Sequence, residues 1–235
     1  MKILAIIPAR AGSKRLPNKN KLHLGGKPLV IWSIDSVRGV ESICDILVST
    51  DDPEIAEICK NHGALVPWLR PPELATDDSH VVDTLIHGVD WYEGVFGEVD
   101  GILLLQPTSP FRRKETIDSA LRQFSSGGCL ESVVGVSKVK THPDWCFHIN
   151  KSGALTPWGN LSGATKRAQD LVPVFGLNGL VYVMNPRVLR DRKMIVGEKT
   201  VGCVVEAGIE TLDIDTGDDF ELAKFYLIKN VGSQN

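Results

Sequence analysis

The chain has 235 residues, and its 43% hydrophobic and 23% charged residues are ordinary for a globular protein. This composition excludes a disordered chain, a collagen and a coiled coil, and the length predicts one large domain or a domain with an appendage. The net charge of −3 disfavours a general nucleic-acid-binding protein, because such proteins carry a basic excess.

Strands and helices alternate through the first 137 residues. Apolar runs predict strands, and apolar residues at helical spacing between turn residues predict helices. Strands are predicted at residues 2–8, 43–49, 65–68, 101–106 and 130–136, and helices at 29–37, 54–61, 79–92 and 114–124. Because this alternation is typical of α/β proteins, we expect a doubly wound, mostly parallel sheet.

The alternation stops after residue 137. Two short aromatic stretches, 145–149 and 155–158, flank a Lys151-Ser152-Gly153 turn, which predicts a β-hairpin followed by a loop of small and polar residues. The main sheet resumes with strands at 173–184, 200–206 and 211–214, and a helix at 217–228 follows. We therefore expect a single domain over residues 1–235, with a small β-rich arm, residues 138–173, inserted within it.

The loop after the first predicted strand is strongly basic. Ligands of open α/β sheets bind at the carboxyl ends of the strands, where this loop begins. Gly12 and Ser13 can turn backbone N–H groups toward phosphate oxygens, and Arg10, Lys14 and Lys19 supply positive charge. The loop therefore predicts a phosphate site rather than a solvated basic surface. The first 34 residues carry seven basic side chains and no acidic one, namely Lys2, Arg10, Lys14, Arg15, Lys19, Lys21 and Lys27.

Two common phosphate-binding patterns are absent from this loop. The pattern G-x-x-x-x-G-K-[ST] would need glycine at Lys21 and Ser or Thr at Pro28. The pattern G-x-G-x-x-G would need glycine at Ala11 or Lys14. A P-loop kinase and a dinucleotide-dependent dehydrogenase are therefore both disfavoured.

Residues 209–223 show the opposite bias. In a strand, Asp213 and Asp215 would face the same side, where their mutual repulsion favours a bound cation. Mg²⁺ suits such a site, because it prefers hard oxygen ligands together with phosphates. The alternative is that Asp215 caps the last helix, whose first turn contains Asp218 and Asp219. The segment carries six acidic side chains and no basic one, namely Glu210, Asp213, Asp215, Asp218, Asp219 and Glu221.

The sequence predicts a cytoplasmic protein. The first apolar run, residues 3–7, is shorter than the apolar region of a secretion signal, and no run is long enough to span a membrane. An odd number of cysteines without a C-x-x-C pair suggests reduced thiols rather than a disulfide framework or a zinc ribbon. The five cysteines are Cys44, Cys59, Cys129, Cys146 and Cys203.

Six short motifs occur in one order along nearly the whole chain. They are Ile7-Pro8-Ala9-Arg10 through Asn20, Ser49-Thr50-Asp51, Leu69-Arg70-Pro71, Leu105-Gln106-Pro107-Thr108-Ser109-Pro110-Phe111-Arg112, Phe175 with Asn178-Gly179, and Asp213-Ile214-Asp215. Together they resemble the acylneuraminate cytidylyltransferases, the CMP-sialic acid synthetases. The first and fourth motifs are specific, whereas the others alone would be weak.

The resemblance implies a Rossmann-like nucleotidyltransferase fold and a reaction. CTP would be joined to a nine-carbon 2-keto sugar acid to give the CMP-sugar and pyrophosphate, with the anomeric hydroxyl attacking the α-phosphate in line. Mg²⁺ is the implied cofactor, with Mn²⁺ as a substitute. The implied assembly is a homodimer without nucleic-acid or membrane partners, in which the arm reaches over the partner's site.

The resemblance also assigns roles to residues on the nucleotide side. The catalytic candidates are Arg10, Lys14 and Lys19, which would hold the triphosphate and stabilise the leaving group, and Asp215. The nucleotide-binding candidates are Ala9, Gly12, Ser13, Asn20, Arg70 and Ser79. The implied metal ligands are Asp213 and Asp215, either of which could help to deprotonate the attacking hydroxyl.

On the sugar side, Gln106 would meet hydroxyls or an N-acyl group, and Arg167 would meet the sugar carboxylate. The alternatives are a strand-ending turn at Gln106 and a surface role for Arg167. The acceptor-binding candidates are Gln106, Thr108, Ser109, Arg167, Phe175 and Asn178. The arm aromatics Trp145, Phe147 and Trp158 would lie in the dimer interface or pack within one chain.

The chain departs from the family pattern after His142-Pro143. Members specific for N-acetylneuraminate often carry a lysine two positions on, whereas this chain has Asp144-Trp145. A tryptophan presents a flat apolar face in place of a cation. The departure favours a less polar acceptor, such as a legionaminic or pseudaminic acid.

Three other functions remain open from the sequence. A CMP-transferase for the eight-carbon acid Kdo would share the fold and the chemistry, although its motifs match less well. A glycosyltransferase that consumes a nucleotide-sugar would also carry an Asp-x-Asp pair. A non-catalytic nucleotide-binding protein would have little need for two repelling carboxylates.

Overall fold

A six-stranded sheet forms the centre of the protein. The computed structural model of the chain describes residues 1–128, 131–159 and 161–232. The strands are β1 (Ile3–Pro8), β2 (His23–Leu24), β3 (Lys27–Pro28), β4 (Ile43–Ser49), β5 (Gly101–Leu104), β6 (Ser132–Lys138), β7 (Phe147–Ile149), β8 (Leu155–Pro157), β9 (Phe175–Met184) and β10 (Thr200–Val204). The α-helices are α1 (Leu29–Ser36), α2 (Pro53–Asn61), α3 (Val81–Phe96), α4 (Lys114–Ser126), α5 (Pro186–Arg192) and α6 (Gly217–Gly232).

The strand order of the main sheet is β10-β6-β9-β5-β1-β4. Strand β1 runs parallel to β4 and β5, and β10 runs parallel to β6. Strand β9 runs antiparallel to both of its neighbours, with Val183 opposite Leu103 on one side and Val133 on the other. The prediction of a mostly parallel α/β sheet is therefore confirmed.

Helices cover both faces of this sheet, because the central strands are apolar on both faces. Alternate residues of β1 enter different cores, with Ala5 on one face and Ile6 on the other. Helices α1, α2 and α4 pack on the first face, through residues such as Ile31, Cys59 and Phe124. Helices α3 and α5 pack on the second. The sheet is thus doubly wound, as predicted.

Two predicted strands are wrong. The stretch 65–68 forms only a single bridge, between Leu65 and Leu47. The stretch 211–214 contains the end of a short 3₁₀ helix, Ile209–Thr211, and then irregular backbone. Both segments are only four residues long, and an apolar pattern that short does not decide whether a segment joins a sheet.

The predicted arm forms a two-stranded hairpin, β7 with β8, in which His148 pairs with Thr156. The predicted strand at 130–136 is β6, although its first residue, Leu130, lies outside the described residues, as does Cys129. Helix α5 was not predicted. None of the helices in the described ranges has the length and apolar character needed to cross a membrane.

Candidate active site

A cleft of about 500 Å³, here called the basic cleft, opens at the carboxyl ends of β1 and β5. The basic loop forms one wall, and Gln106 and Thr108 form another beside Asp215. The two oppositely charged ends of the chain therefore meet. The lining residues are Pro8, Arg10, Ser13, Lys14, Arg15, Leu16, Lys19, Asn20, Gln106, Pro107, Thr108 and Asp215.

Asp215 joins the acidic segment to the basic loop. Its carboxylate oxygens accept from Arg15 Nη2 at 2.6 Å and from Lys19 Nζ at 2.9 Å. The neighbouring Ile214 is fully buried in a small core with Leu24, and this burial fixes where Asp215 points. The backbone agrees, since Ile214 N–H donates to the Thr108 carbonyl at 2.8 Å.

A second carboxylate forms ion pairs with the other two cations of the basic cleft. Asp77 accepts from Arg10 Nη1 at 3.1 Å and from Lys14 Nζ at 2.6 Å. The hydrogen bond from Lys14 holds the pKa of the Asp77 carboxyl below its ordinary value. Asp77 was not predicted as a site residue. It lies 67 positions from Arg10 in the sequence, and only the fold brings it to the basic loop.

Three of the seven basic residues near the start of the chain lie outside this cleft. Lys2 Nζ donates to the Phe96 carbonyl at 3.1 Å. Lys21 pairs with Asp52 and Glu54, and Lys27 pairs with Asp35. The charge run therefore overstated the number of cations available to an anion, since only four of the seven line the cleft.

Hydrogen bonds to the end of β4 and to the residues after it hold the backbone of the basic loop in place. Ala9 is buried and its N–H donates to Ser49 O at 2.9 Å, while Ala11 N–H donates to Asp51 Oδ1 at 2.8 Å. Asn20 borders the cleft, but its Nδ2 donates to Arg10 O at 3.0 Å. Ala9 and Asn20 thus shape the loop. Of the two residues predicted to turn N–H groups toward phosphate, Ser13 lines the cleft and Gly12 does not.

A smaller cleft of about 230 Å³, the Arg70 cleft, adjoins the basic cleft at Pro8 and Arg10. Arg70 is buried, donates from Nε to Ser49 Oγ at 3.0 Å, and also bonds the Ser49 carbonyl. Burial lowers the pKa of the Arg70 guanidinium to about 10, so it stays charged at neutral pH. Ser79, another predicted nucleotide residue, lies on the same cleft.

A third cleft, of about 400 Å³, shares Gln106 with the basic cleft and is called the Asn178 cleft. Asn178 Nδ2 donates to Ser137 Oγ at 3.0 Å, which ties β9 to β6 beside a register shift. The lining residues are Gln106, Ser137, Lys138, Val139, Lys140, Gly176, Leu177, Asn178, Gly179, Tyr182, Ala207, Thr211 and Asp213.

Asp213 and Asp215 lie on two adjoining clefts. Asp213 lines the Asn178 cleft, and Asp215 lines the basic cleft. Asp213 is accessible to solvent, yet the surrounding protein removes enough water to raise the pKa of its carboxyl. The charge of Asp215 raises this pKa further, whereas a hydrogen bond with Thr108 opposes the change. The strand argument was wrong, but the two carboxylates do lie close enough to repel each other.

The alternative role of Asp215 as a helix cap is not observed. Thr216 is the residue before α6 and caps it together with Asp219, whose Oδ2 accepts from Thr216 N–H at 2.8 Å and from Asp215 N–H at 3.1 Å. Thr216 Oγ1 in turn accepts from Asp219 N–H at 3.3 Å. Asp215 is thereby left to face the basic loop. Among the described residues, no group of three or more His, Cys, Asp or Glu side chains could hold a metal by itself.

Three predicted acceptor residues lie outside the clefts. Ser109 is fully buried, and its hydroxyl has no hydrogen-bond partner among the described residues. Phe175 is exposed at the start of β9, before the part that lines the Asn178 cleft. Arg167 is exposed on the arm and belongs to none of the three cleft linings. Within one chain, the structure does not bring Arg167 to the site.

Arg112 and Tyr182 were not assigned roles from the sequence. Arg112 is buried, donates from Nη2 to Gln106 O at 3.0 Å, and also bonds the Leu180 carbonyl, so it locks the end of β5 to β9. Tyr182 lines the Asn178 cleft, and burial raises the pKa of its phenol. The Asp213 charge raises that pKa further. Tyr182 lies in the continuous apolar run 180–184, which has no polar alternation and so gave no signal that it lines a cleft.

Comparison with known proteins gives one consistent family. Residues 4–142 match a family model described as cytidylyltransferase. The chain is 40% identical over 232 residues to the CMP-N,N'-diacetyllegionaminic acid synthase of Legionella pneumophila, covering 95% of both chains. It is 36% identical over 224 residues to an N-acylneuraminate cytidylyltransferase of Streptococcus agalactiae, covering 94% of this chain but only 52% of that protein.

The fold also matches a solved structure. A CMP:2-keto-3-deoxy-manno-octonic acid synthetase complexed with CTP superposes with a TM-score of 0.73, covering 98% of this chain and 100% of that one. The sequence identity is 18%, so this likeness concerns the fold alone.

Proposed function

The chain belongs to the cytidylyltransferase family, as its motifs indicated, and on that premise we propose that it joins CTP to a nine-carbon 2-keto sugar acid, releasing pyrophosphate. One observation carries the proposal. Two clefts share Gln106, and each has one carboxylate of the Asp213/Asp215 pair on its wall. A nucleotide in one cleft and a sugar acid in the other would meet beside that pair, which is the arrangement that a transfer between them requires.

The triphosphate would lie in the basic cleft, with the nucleoside toward the Arg70 cleft. Arg10, Lys14, Arg15 and Lys19 all line the basic cleft and face its opening from one loop. Their charges would neutralise the growing negative charge on pyrophosphate as it leaves. Lys19 would contribute most, because its side chain is only 12% exposed and is the least screened by water.

The sugar acid would lie in the Asn178 cleft. Gln106 offers a donor and an acceptor to hydroxyl or N-acyl groups, and Tyr182 adds a phenolic hydroxyl. Lys138 and Lys140 line this cleft without an ion-pair partner among the described residues, so either can meet the sugar carboxylate. Arg167 would reach a site only in a second copy of the chain, through the arm.

Mg²⁺ is the cofactor we propose, held by Asp213 and Asp215 together with substrate phosphates. The residues fit, because two nearby carboxylates, in cleft linings that contain no histidine or cysteine, suit a hard cation that keeps phosphate and water ligands. When bound, the ion would screen the phosphates and lower the pKa of the attacking hydroxyl. The carboxylates themselves would position the two substrates at the junction of the clefts.

We favour an acceptor of the N,N'-diacetyllegionaminic type. The support is the 40% identity to the Legionella synthase and the apolar face of Trp145 in place of the lysine that N-acetylneuraminate-specific members often carry. The preceding residue, Asp144, braces the arm, because its carboxyl packs where side chains on Gly159 and Gly163 would otherwise stand. Pseudaminic and N-acetylneuraminic acids are the alternatives within the same class.

We also propose a cytoplasmic homodimer that pairs through the arm. Six large apolar side chains are exposed in the described part of the arm, which is a pattern typical of a protein interface. They are Phe147, Ile149, Leu155, Trp158, Leu161 and Val172. The four cysteines in the described ranges are free thiols, consistent with a reducing compartment.

The decisive experiment measures pyrophosphate release from CTP, with and without Mg²⁺, against a panel of sugar acids. The panel contains N,N'-diacetyllegionaminic, pseudaminic and N-acetylneuraminic acids and Kdo. We expect the highest kcat/KM with the first. A preference for Kdo would support the alternative suggested by the fold neighbour, and no release with any member would contradict the proposed reaction.

A variant pair tests the carboxylates. Asp213→Ala should lower kcat by at least about a hundredfold, the scale of losing one electrostatic contact to a transition state. Asp218→Ala is the matched control, because Asp218 is an exposed carboxylate in the first turn of α6. Equal activity of the two variants would contradict the metal assignment.

A further inference from the structure

The Asp77 carboxylate bridges two cations of the basic cleft. Its two oxygens separately accept from Arg10 Nη1, at 3.1 Å, and from Lys14 Nζ, at 2.6 Å. Arg10 and Lys14 both line the basic cleft. A carboxylate bridging two cations has the same charge contacts as an oxygen pair of a polyphosphate.

The segment that carries Asp77 is fastened by the same arginine. Arg10 Nη1 also donates to the Thr76 carbonyl at 3.1 Å, and Ser79 Oγ closes the turn by bonding Leu74 O at 2.9 Å and Thr76 O at 2.8 Å. Thr76, Asp77 and Ser79 form part of the Arg70 cleft wall. Moving Asp77 away from Arg10 would therefore change both clefts together.

Asp77 is able to move and remains charged. Its side chain is 47% exposed, so no packed core resists its displacement. The hydrogen bond from Lys14 keeps its pKa low, so at neutral pH it competes for the two cations as a full negative charge. Asp215 similarly occupies Arg15 and Lys19, but it belongs to the proposed catalytic pair and cannot be tested without damage to the reaction.

We propose that Asp77 is a gating carboxylate, which occupies Arg10 and Lys14 in the free protein, is displaced by a polyphosphate and returns as that polyphosphate leaves. This inference rests on the proposed function, because it takes the basic cleft to be the triphosphate site. Two consequences follow. An anion that reaches Arg10 and Lys14 must outcompete the internal carboxylate, so Asp77 weakens the binding of phosphates to the cleft. The returning carboxylate also speeds the release of pyrophosphate.

The test is isothermal titration calorimetry with inorganic pyrophosphate and with orthophosphate, in buffer without divalent metal. Asp77→Asn should bind pyrophosphate about tenfold more tightly than the unmodified protein, the scale of losing two partly exposed ion pairs. Orthophosphate meets the same competition, so its affinity should rise by no more than the same factor. Asp78→Asn is the matched control, because it removes the same charge from the neighbouring exposed position, and it should change the affinity less than about twofold.

Turnover assays separate the possible failures. With acceptor saturating and CTP held well below its KM, pyrophosphate should inhibit Asp77→Asn at lower concentration than it inhibits Asp78→Asn. If Asp77→Asn binds pyrophosphate no more tightly than the control, the gating role of Asp77 is refuted, even when turnover is intact. Asp77 would then serve to position Arg10 and Lys14. If Asp77→Asn binds pyrophosphate more tightly, as expected, but no sugar acid supports turnover, the proposed reaction is contradicted. The gating role of Asp77 is then still supported.

Discussion

Replacing each cation of the basic cleft by alanine should produce losses ranked by burial. The exposed fractions of the side chains are 12% for Lys19, 35% for Arg10, 69% for Arg15 and 76% for Lys14. Water screens an exposed charge more strongly, so the same contact to a triphosphate is worth less there. We expect the loss in kcat/KM for CTP to fall in that order from Lys19→Ala to Lys14→Ala.

The magnitudes follow from the two ends of this series. A charge-assisted hydrogen bond from a nearly buried group is worth about 1.5–3 kcal/mol, so Lys19→Ala should cost about 10- to 150-fold. An exposed ion pair is worth about 0.2–1 kcal/mol, so Lys14→Ala should cost less than about fivefold. Arg10→Ala should lie between the two values.

The assay is pyrophosphate release at saturating acceptor with varied CTP, accompanied by a thermal melt of each variant. Lys21→Ala is the internal control, because Lys21 belongs to the same loop but pairs with Asp52 and Glu54 outside the cleft. It should stay within about threefold of the unmodified protein. Losses that are equal for Lys14 and Lys19, at unchanged Tm, would refute the burial argument.

Two further predictions concern stability, measured by urea unfolding. Burial raises the pKa of the Asp52 carboxyl, but hydrogen bonds from Lys21 and from the first N–H groups of α2 outweigh it and leave the pKa lowered. This stabilisation is present above about pH 4 and is lost as the pH falls through the folded-state pKa, so the advantage over Asp52→Asn, which keeps a capping side chain, should shrink in acid. Gly101→Ala should cost about 1–3 kcal/mol, because its Cβ would lie 2.7 and 2.9 Å from two core side chains, whereas Gly94→Ala, in open space on α3, should gain up to about 1 kcal/mol. A loss for Gly94→Ala as large as that for Gly101→Ala, or a constant difference for Asp52→Asn down to pH 3, would contradict these arguments.

Local signals explain why much of the fold was predictable. The strand at Ile43–Ser49 has the predicted bounds, and Asp52 caps α2, with Pro53 in the first turn. An apolar run and an Asp-Pro pair determine these features within a few residues. The position of the basic loop at the end of β1 was equally accessible, because strand ends place ligand sites in α/β sheets.

The remaining features depend on contacts between distant residues. The direction of β9 cannot be read from its apolar pattern, because parallel and antiparallel buried strands look alike in sequence. The orientation of Asp213 and Asp215 depends on Ile214 packing with Leu24 and Leu29. The pairing of Asp77 with the basic loop likewise forms only in the folded chain. A count of basic residues in the sequence therefore overestimates the number of unpaired cations at the site.

The antiparallel strand β9 also has a consequence for the order of folding. It lies between β5 and β6, so these two earlier strands never bond to each other. During synthesis, β4, β1 and β5 can assemble early, whereas β6 must wait for β9 and β10, the two strands on either side of it, both made later. A ribosome-bound or truncated chain that stops before Phe175 therefore exposes the open edges of β5 and β6, which makes it a target for aggregation and for chaperones.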